Sequence, residues 1–444
     1  MQISGTWSLT ARVFLPFAVG YYLSYLFRTI NALIAIHLSS DTGLGTADLG
    51  LLTSVYFLVF ATAQIPVGIL LDRFGPRRVQ SVLLLLAAAG AGLFAVSTSI
   101  LSLLIARAMI GLGVAAALTA GLKAIILWFP RERVALLNGY MIMLGSLGAV
   151  TATAPLEHLL TWMSWRQLFE ILAAATGGTA ILIYVVVPER GIVPLIASTP
   201  ATLSSVFRDR RFWRMAPLSA TCVGSAWSLQ GLWASPWLTD VEGLDRSSLV
   251  RQLFMMSIVL SAGAWLFGIT VHHIKRRGIG AETILALVTV LFIAAELALI
   301  LRGRLPSILP WSVVAIVGTA TVVSFAVISD YFPPELAGRA NSALNVLHFG
   351  WAFLVQSATG PILEQWPAND GHRPVQAYQV AFGLSVVLQI AALVWFVLPS
   401  RRSFSSWMSS ILFFKPADVS YAVESVGLYE DSVILVSPDD DAEW

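Results

Sequence analysis

Long apolar stretches run along the chain, and short segments with charges, prolines or polar residues separate them. The hydrocarbon core of a bilayer needs about twenty predominantly apolar residues in a helix, so each stretch predicts one membrane-spanning helix. Cutting the chain at its polar interruptions predicts twelve spans, at 13–38, 49–71, 79–97, 101–128, 134–157, 166–187, 213–239, 249–273, 279–301, 305–331, 336–364 and 376–398.

One connection divides these spans six and six. It covers residues 188–212, contains Pro188, Pro194 and Pro200, and leads into the basic stretch FRDRRFWR at 207–214. We therefore expect a bundle over 1–187, a cytoplasmic linker over 188–212, a second bundle over 213–398 and a tail over 399–444.

The two halves carry related sequences at corresponding places. The stretch GILLDRFGPRR from Gly68 has a degraded counterpart, GITVHHIKRRG, from Gly268, and WFPRERVALLNG from Trp128 recurs as YFPPELAGRANS from Tyr331. The offsets, 200 and 203 residues, are nearly equal, as expected of an internal repeat. The predicted fold is an all-α membrane protein whose twelve transmembrane helices form two pseudo-symmetric six-helix bundles.

The distribution of positive charge predicts the orientation. Of the 27 Lys and Arg residues, 18 fall on one side of the predicted spans, 6 on the other and 3 inside them. By the positive-inside rule, we expect a multi-pass protein of the cell membrane with both termini in the cytoplasm.

Composition excludes several functions. The chain is 57% hydrophobic and 12% charged, against about 25% charged residues in soluble domains, so the bilayer is its expected surrounding. A net charge of +2 gives no basis for binding nucleic acid. We find no phosphate-binding loop, metal-ligand spacing, catalytic constellation or selectivity-filter repeat, so we expect no enzyme, no channel, no cofactor and no metal.

The chain resembles the major facilitator superfamily over all twelve spans. The loop after the second span carries Gly68, Leu70, Asp72, Arg73, Gly75, Arg77 and Arg78 of the family signature, with Pro76 in place of a usual basic residue. The stretch RAMIGLGVAA from Arg107 matches the fourth-span pattern of an arginine followed by Gly-x-Gly. The resemblance implies transport by alternating access, and within the family the chain resembles prokaryotic organic-anion-type members.

The loop signature suggests a gate formed by Gly68, Asp72, Arg73, Gly75, Arg77 and Arg78. Gly68 would allow close helix contact, and Gly75 can adopt the positive φ of a tight turn. The resemblance implies that Asp72 stabilises the N-terminus of the eleventh span, near Leu336. The alternative is that these arginines only obey the positive-inside rule.

The first span contains the strongest candidate for a substrate site. Arg28 lies near its middle, Tyr21, Tyr25 and Arg28 fall within an arc of about 60°, and Asn31 follows one turn later. Such a face is costly against lipid and should line an aqueous cavity. The alternative is that Arg28 binds carbonyls or a carboxylate of a neighbouring helix.

Other spans contribute weaker candidates. In the seventh span, Trp227, Gln230, Trp233 and Trp237 share a helical face, and we favour Gln230 and Trp233 for substrate contact. His348 and Trp351 share a face of the eleventh span and could complete the cavity. For Arg107, the resemblance implies a role in coupling or in helix packing.

The predicted substrate follows from charge balance. No span contributes a central carboxylate to neutralise Arg28, so we expect a small organic acid whose carboxylate binds Arg28, Tyr25 and Gln230 and whose body packs on Trp233. The usual acidic proton sites of related symporters are occupied by Phe27 and Val114. We therefore expect any proton coupling to be weak or to use an unassigned group, which leaves facilitated transport or exchange open, with a proton or counter-ion as a possible partner. Glu157, Glu170 and Glu296 lie toward span ends, and Glu170 can pair with Arg166.

The alternatives are drug efflux and a sensor that binds without transport, and we expect a monomer. The tail begins with an amphipathic pattern, for which we expect a position in the cytoplasmic membrane interface. Its members are Phe404, Trp407, Met408, Ile411 and Leu412.

Overall fold

A computed structural model of the protein describes residues 9–189, 203–276, 280–302, 305–368 and 371–398, and these ranges are almost entirely helical. The amphipathic tail and most of the linker lie outside them. The elements, numbered by span, are α1 (Thr10–Phe14 in π geometry, Leu15–Thr29 and Asn31–Thr42), α2 and α3 (both within Thr46–Val96), α4 (Ile100–Val114 and Ala117–Trp128), α5 (Arg131–Thr151 and Ala154–Leu160), α6 (Trp165–Val186), α7 (Arg210–Ser228, Leu229–Trp233 in π geometry and Ala234–Asp240), α8 (Arg246–Arg276), α9 (Ala281–Leu301), α10 (Ile308–Val317 and Thr321–Tyr331), α11 (Pro334–Leu363) and α12 (Val375–Val397). A short helix, Leu203–Arg208, precedes α7.

The predicted twelve spans are all present as helices. Within the described residues, nine helices are long and apolar enough to cross a membrane, and the bent pair of α1 makes a tenth. Thr46–Val96 has 51 residues, about 77 Å of helix, which exceeds two bilayer cores and supplies two crossings. The remaining span is α7, which a π segment interrupts.

Gly75 separates α2 from α3. Its φ of 78° and ψ of 163° lie in a region that residues with a β-carbon avoid, and Pro76 follows with the fixed φ suited to a helix start. The positive φ predicted for Gly75 is therefore confirmed. The close contact expected at Gly68 is absent in this conformation, because no atom lies within 4 Å of a β-carbon built there.

The two halves meet along α2 and α11, which run antiparallel. Gln64 of α2 accepts a hydrogen bond of 3.0 Å from the Asn345 amide, and Phe60 stacks on Phe349 with 4.0 Å between ring centroids. Farther along the pair, a β-carbon built at Gly360 would lie 2.8 Å from the Ala47 Cα. Glycine at position 360 therefore permits direct backbone contact between the halves.

This contact defines two ends of the molecule. At the closed end, marked by Ala47, Glu157, Arg246 and Glu364, the Ala47 N–H donates to the Glu364 carboxylate across the halves at 2.8 Å. At the basic end, marked by Arg77 and Arg78, helix positions 68 and 72 of α2 are open, and Asp72 exposes 77% of its side chain. The halves are thus held together from the closed end to Gln64.

We predict that Gly75→Ala lowers stability by about 1–3 kcal/mol, because the substitution forces a β-carbon into a disfavoured backbone region. The measurement is the midpoint of thermal unfolding in detergent. Gly178→Ala is the matched control, since Gly178 is an exposed helical glycine with no atom near the added carbon. Equal midpoints for both variants would contradict the strain argument.

Candidate functional site

Arg28 lies where α1 bends between the two halves. The segments Thr10–Thr29 and Asn31–Thr42 meet at an angle of 50°, directly after Arg28. Its guanidinium carbon lies 3.9 Å from the ring centroid of Tyr25 and 5.0 Å from that of Trp227, which belongs to the other half. Among the described side chains, no carboxylate comes within 4.0 Å of Arg28. Two aromatic faces therefore hold a cation that has no acidic partner there.

The facing helix, α7, also departs from α-helical geometry. Its segment Leu229–Trp233 is π-helical, and such bulges occur frequently at functional sites. The Trp227 indole N–H donates to the Gly318 carbonyl at 2.7 Å, and the Gln230 amide donates to the Val314 carbonyl at 2.6 Å. Both bonds go to α10 and fix Trp227 and Gln230 at the surface that faces α1.

An aromatic layer borders Arg28 on the side of α2 and α11. Trp227 packs on Phe349 with ring centroids 4.6 Å apart, and Phe349 stacks on Phe60 of the first half. Tyr25 contributes a ring from α1. The surroundings of the guanidinium are therefore flat and apolar, with hydroxyl and amide groups at the edges.

A small cavity lies one residue beyond Arg28 along α1. Its volume is about 40 Å³, and Thr29, Thr153, Gln230 and Ser257 contribute polar groups to walls formed by α1, α5, α7, α8 and α10. This space accommodates a water molecule but is too small for an organic acid. Arg28 is not among the residues that line it, so the volume of this cavity does not set the space available at the guanidinium.

Several predicted site residues are buried in helix contacts. Trp233 has no exposed surface, and its ring lies 3.2 Å from a β-carbon built at Gly50 of α2. Asn31 is buried and donates to the Thr53 hydroxyl at 3.0 Å. The Tyr21 ring lies 2.2 Å from a β-carbon built at Gly145, so that glycine makes room for it. In this conformation these three side chains pack between helices.

The candidates on α11 bind hydroxyl groups of α7. His348 is fully buried, and its Nε2 lies 2.6 Å from the Ser219 hydroxyl. The Trp351 indole N–H donates to the Ser225 hydroxyl at 3.0 Å. His348 also lies beside Trp227, with ring centroids 5.9 Å apart. Both residues therefore support the wall behind Trp227.

Arg107 packs inside the first half. Its guanidinium donates to the Phe27 carbonyl at 3.2 Å and lies 4.8 Å and 5.7 Å from the ring centroids of Phe94 and Phe169. The side chain is completely buried, and its Nε and Nη2 atoms have no hydrogen-bond partner in the described structure. These contacts tie α4 to α1, α3 and α6.

The gate candidates contact their own half. Asp72 accepts a hydrogen bond of 2.6 Å from Lys123 of α4. Arg77 donates through two nitrogen atoms to the Tyr184 carbonyl near the end of α6, and Arg78 pairs with Glu189. Arg73, which follows Asp72 in the sequence, lies 5.2 Å from the ring centroid of Phe74.

An ion pair between the halves covers the closed end. Arg246 of α8 donates to both carboxylate oxygens of Glu157 at 2.7 and 2.6 Å, and also to the Leu33 carbonyl at 3.0 Å. Serine side chains in the first turn of α8 donate to neighbouring Asp245 and lower its pKa to about 2. Leu33 also lines the small cavity, so the pair lies directly beyond it.

Sequence reasoning missed two parts of this arrangement. Trp227 was on the identified face of α7, and the repeat offset of about 200 residues places it at the depth of Tyr25 and Arg28, which was the available signal. The pairing of Glu157 with Arg246 at the closed end had no signal in the local sequence of either residue. Arg166 pairs with Asp41 at 3.0 Å rather than with Glu170, so that expected pairing is wrong.

Two six-helix bundles that meet around a bent helix define a helical, multi-pass membrane protein. The family model described as Major Facilitator Superfamily matches residues 17–356. The match covers more than half of the chain, and the protein belongs to that family.

Known members share parts of the sequence. The chain is 24% identical to the hexuronate transporter of Escherichia coli K12 over 269 residues, which cover 56% of this chain and 62% of that protein. It is 24% identical to the "Probable L-galactonate transporter" of the same strain over 286 residues, covering 61% and 62%. Identity to the "Probable sulfoacetate transporter SauU" of Cupriavidus necator is 27% over 162 residues, covering 36% and 38%. Each match spans less than two thirds of the relative.

Solved structures share the fold. A bacterial homologue of the human lysosomal transporter Spinster, in an inward-facing and unoccupied conformation, has a TM-score of 0.69 at 19% identity, covering 91% of this chain and 98% of that one. A variant of the nucleoside transporter NupG has a TM-score of 0.70 at 13% identity, covering 86% and 99%. At these identities the likeness concerns the fold alone.

We predict that Glu157→Gln and Arg246→Gln each lower the thermal midpoint, and that the double variant loses less than the sum of the two. Removing one partner leaves the other charge partly buried and unpaired, so the two losses are coupled by about 0.5–3 kcal/mol. Glu170→Gln is the control, because Glu170 is exposed on the same half. Additive losses would show that the pair does not hold the closed end.

Proposed function

We propose that the protein moves a small organic anion, a carboxylate, across the membrane by alternating access. The observation that carries the proposal is Arg28, a guanidinium between the two halves with no carboxylate near it in the described structure. Family membership and the relatives named for hexuronate, L-galactonate and sulfoacetate support it, because these compounds are all small organic anions.

The electrostatics of Arg28 favour an anionic ligand. A guanidinium stays protonated, and placing it at the centre of a membrane helix costs roughly 2.5–3.5 kcal/mol on insertion scales. Water, a fixed acid or a bound anion can offset that cost. A carboxylate meets the two-pronged donor geometry of arginine with paired hydrogen bonds, which an amine or a neutral solute does not.

The neighbours of Arg28 suggest how the rest of the ligand is held. Tyr25 offers a hydroxyl beside the guanidinium, and Gln230 offers an amide on the opposite half. Trp227 provides the flat wall that sequence analysis assigned to Trp233, because its ring faces Arg28 while Trp233 faces Gly50. A polyhydroxylated acid fits this mixture, since its hydroxyl groups can bond the edges and its ring or carbon chain can lie on the indole.

We propose that the basic end faces the cytoplasm. The excess of Lys and Arg on that side supports this orientation, with both termini cytoplasmic and the protein in the cell membrane. In that orientation the described conformation is closed to the outside and open toward the cytoplasm. We also propose that the protein acts as a monomer, because each chain contains both halves and the complete site.

The register of α2 and α11 suggests how the cytoplasmic side closes. Positions 64 and 60 face 345 and 349, so continuing the antiparallel register would place 68 opposite 341 and 72 opposite 337. On closure, Gly68 would then permit close contact, and Asp72 would reach the first turn of α11, where N–H groups favour a negative charge. Asp72 would then lose its bond to Lys123 and interact with the N-terminus of α11 instead.

We predict that Arg28→Lys and Arg28→Ala abolish or strongly weaken anion binding while the fold persists. The measurement is thermal stabilisation of purified protein by hexuronates, L-galactonate and sulfoacetate, compared with amines and neutral sugars of similar size. Lys retains the charge but loses the paired hydrogen bonds, so it should rescue binding only partly.

Trp233→Phe is the control for loss of an aromatic ring near the site, because Trp233 is buried against α2. Its ligand stabilisation should match that of the unmodified protein, whereas Trp227→Phe should weaken it. The proposal fails if amines or neutral solutes stabilise the protein instead, or if both Arg28 variants respond to anions as the unmodified protein does.

The gate makes a separate prediction for transport. Asp72→Asn should slow anion exchange in proteoliposomes much more than Lys123→Gln, although the two residues form one exposed pair. An exposed pair contributes only about 0–1 kcal/mol, so loss of the pair itself should have little effect. Equal rates for the two variants would mean that Asp72 has no partner beyond Lys123.

A further inference from the structure

A carboxylate that the site does not use is buried inside the second half. Glu296 of α9 has no exposed surface, and its Oε2 accepts a hydrogen bond of 2.5 Å from the Gln389 amide of α12. Its Oε1 has no partner, and no cation pairs with the carboxylate among the described side chains. By residue count, Glu296 lies about 8 Å from the nearer end of α9. Sequence analysis noted only its position toward the span end.

The surroundings of Glu296 are polar but uncharged. α7, α8, α10 and α12 pack against α9, and the titratable group they place near Glu296 in the described structure is the buried thiol of Cys222 on α7. The charged side chains described on these helices lie near the helix ends. An ionised carboxylate at this place would have only hydrogen bonds to offset its lost hydration, which costs several kcal/mol, whereas the protonated acid is neutral.

A chain of hydrogen bonds links Glu296 to α11. The Gln389 amide also donates to the Ser385 hydroxyl at 2.9 Å, and Ser385 donates to the Ser225 hydroxyl of α7 at 3.2 Å. The Ser225 hydroxyl in turn accepts from the Trp351 indole at 3.0 Å. Trp351 and Ser225 lie on α11 and α7, the helices that also carry Phe349 and Trp227 of the aromatic layer. The chain therefore connects Glu296 to the packing of the two helices that form this layer.

We infer that Glu296 is a proton-binding site whose loading and release are coupled to movement of the anion. This inference rests on the proposed function. In the loaded state the carboxylate takes one proton from water and becomes a neutral acid, and on release the same proton returns to water. A proton on either oxygen of Glu296 weakens or removes the bond that Oε2 accepts from the Gln389 amide, and the same amide also holds the Ser385 hydroxyl.

A proton bound at Glu296 would compensate the charge of the transported anion. Carrying one negative charge into a cell against the membrane potential costs about 2.3 kcal/mol per 100 mV, and a proton carried with the anion cancels that cost. The positions at which related symporters carry acids hold Phe27 and Val114 here. Glu296 supplies an acid in the other half.

The first test measures protonation without any substrate. Infrared spectra of the purified protein should contain a carboxylic-acid C=O band at a pH where exposed carboxylates are ionised, and Glu296→Gln should remove it. Glu170→Gln, which alters an exposed acid in the other half, should leave the band unchanged. A spectrum without that band, or a band that survives Glu296→Gln, would overturn the proton site.

The second test measures coupling in proteoliposomes with galacturonate as the probe. An inward proton gradient should drive accumulation by the unmodified protein and by Glu170→Gln, while Glu296→Gln should lose accumulation but retain galacturonate counterflow and binding. Ser385→Ala is the second variant, for the case that Glu296→Gln does not fold. It breaks the chain of hydrogen bonds without removing the acid, and it should reduce accumulation. Accumulation by Glu296→Gln with unchanged acid dependence, or accumulation driven by a sodium gradient instead, would overturn the coupling. Absence of any anion transport by the unmodified protein would contradict the proposed function and the coupling, whereas the infrared band alone decides proton binding.

Discussion

A guanidinium held inside a membrane must be hydrated, paired or bound to a ligand, and the interface between the two halves is arranged around that constraint. Arg28 lies between Tyr25 of its own helix and Trp227 of the opposite half, and no described carboxylate neutralises it. Aromatic faces stabilise the cation without providing a counter-charge. We propose that a substrate anion satisfies this unmet charge, and that its place between the halves lets each side of the membrane reach it in turn.

The backbone around Arg28 departs from regular helix in both halves. α1 bends directly after Arg28, and α7 has a π segment directly after Ser228, at the corresponding position of the repeat. Interrupted helices free backbone groups and redirect side chains, which is why transporters place them at binding sites. The continuous parts of the interface, above all α2 against α11, hold the closed end together through glycine contacts and one ion pair. Rigid contact at one end and broken helices at the centre together permit the halves to rock.

Much of this architecture could be predicted from the sequence, because membrane spans, their repeat and the glycine turn depend on local pattern. The apolar stretches predicted twelve spans, and Gly75 has the predicted positive φ. Arg28 was identified because a charge within an apolar span is conspicuous. The choice between Trp227 and Trp233 could not be made, since the helical projection assumed a regular α-helix. The π segment turns the positions at its end by up to about 100° relative to a regular α-helix, and Trp233, its last residue, faces Gly50.

Contacts between residues far apart in the chain also could not be predicted from the sequence. Glu157 and Glu296 were recognised only as acids toward span ends, because their partners Arg246 and Gln389 lie 89 and 93 residues away in the chain. Neither residue type nor local spacing indicates such a pairing. The burial of Glu296 could not be predicted either, because a glutamate in an apolar span can face a packed interior, water or a lipid headgroup. The tertiary structure separates these cases and gives the two acids different positions, one covering the closed end and the other inside the second half.

The most direct measurement is an experimental structure of the protein with a saturating hexuronate or L-galactonate. The account predicts that the ligand carboxylate lies within hydrogen-bond distance of the Arg28 guanidinium, with the body of the ligand against Trp227 of the opposite half. A ligand bound elsewhere while Arg28 keeps its present contacts with Tyr25 and Trp227, or an Arg28 paired with an acid of the protein itself, would contradict it.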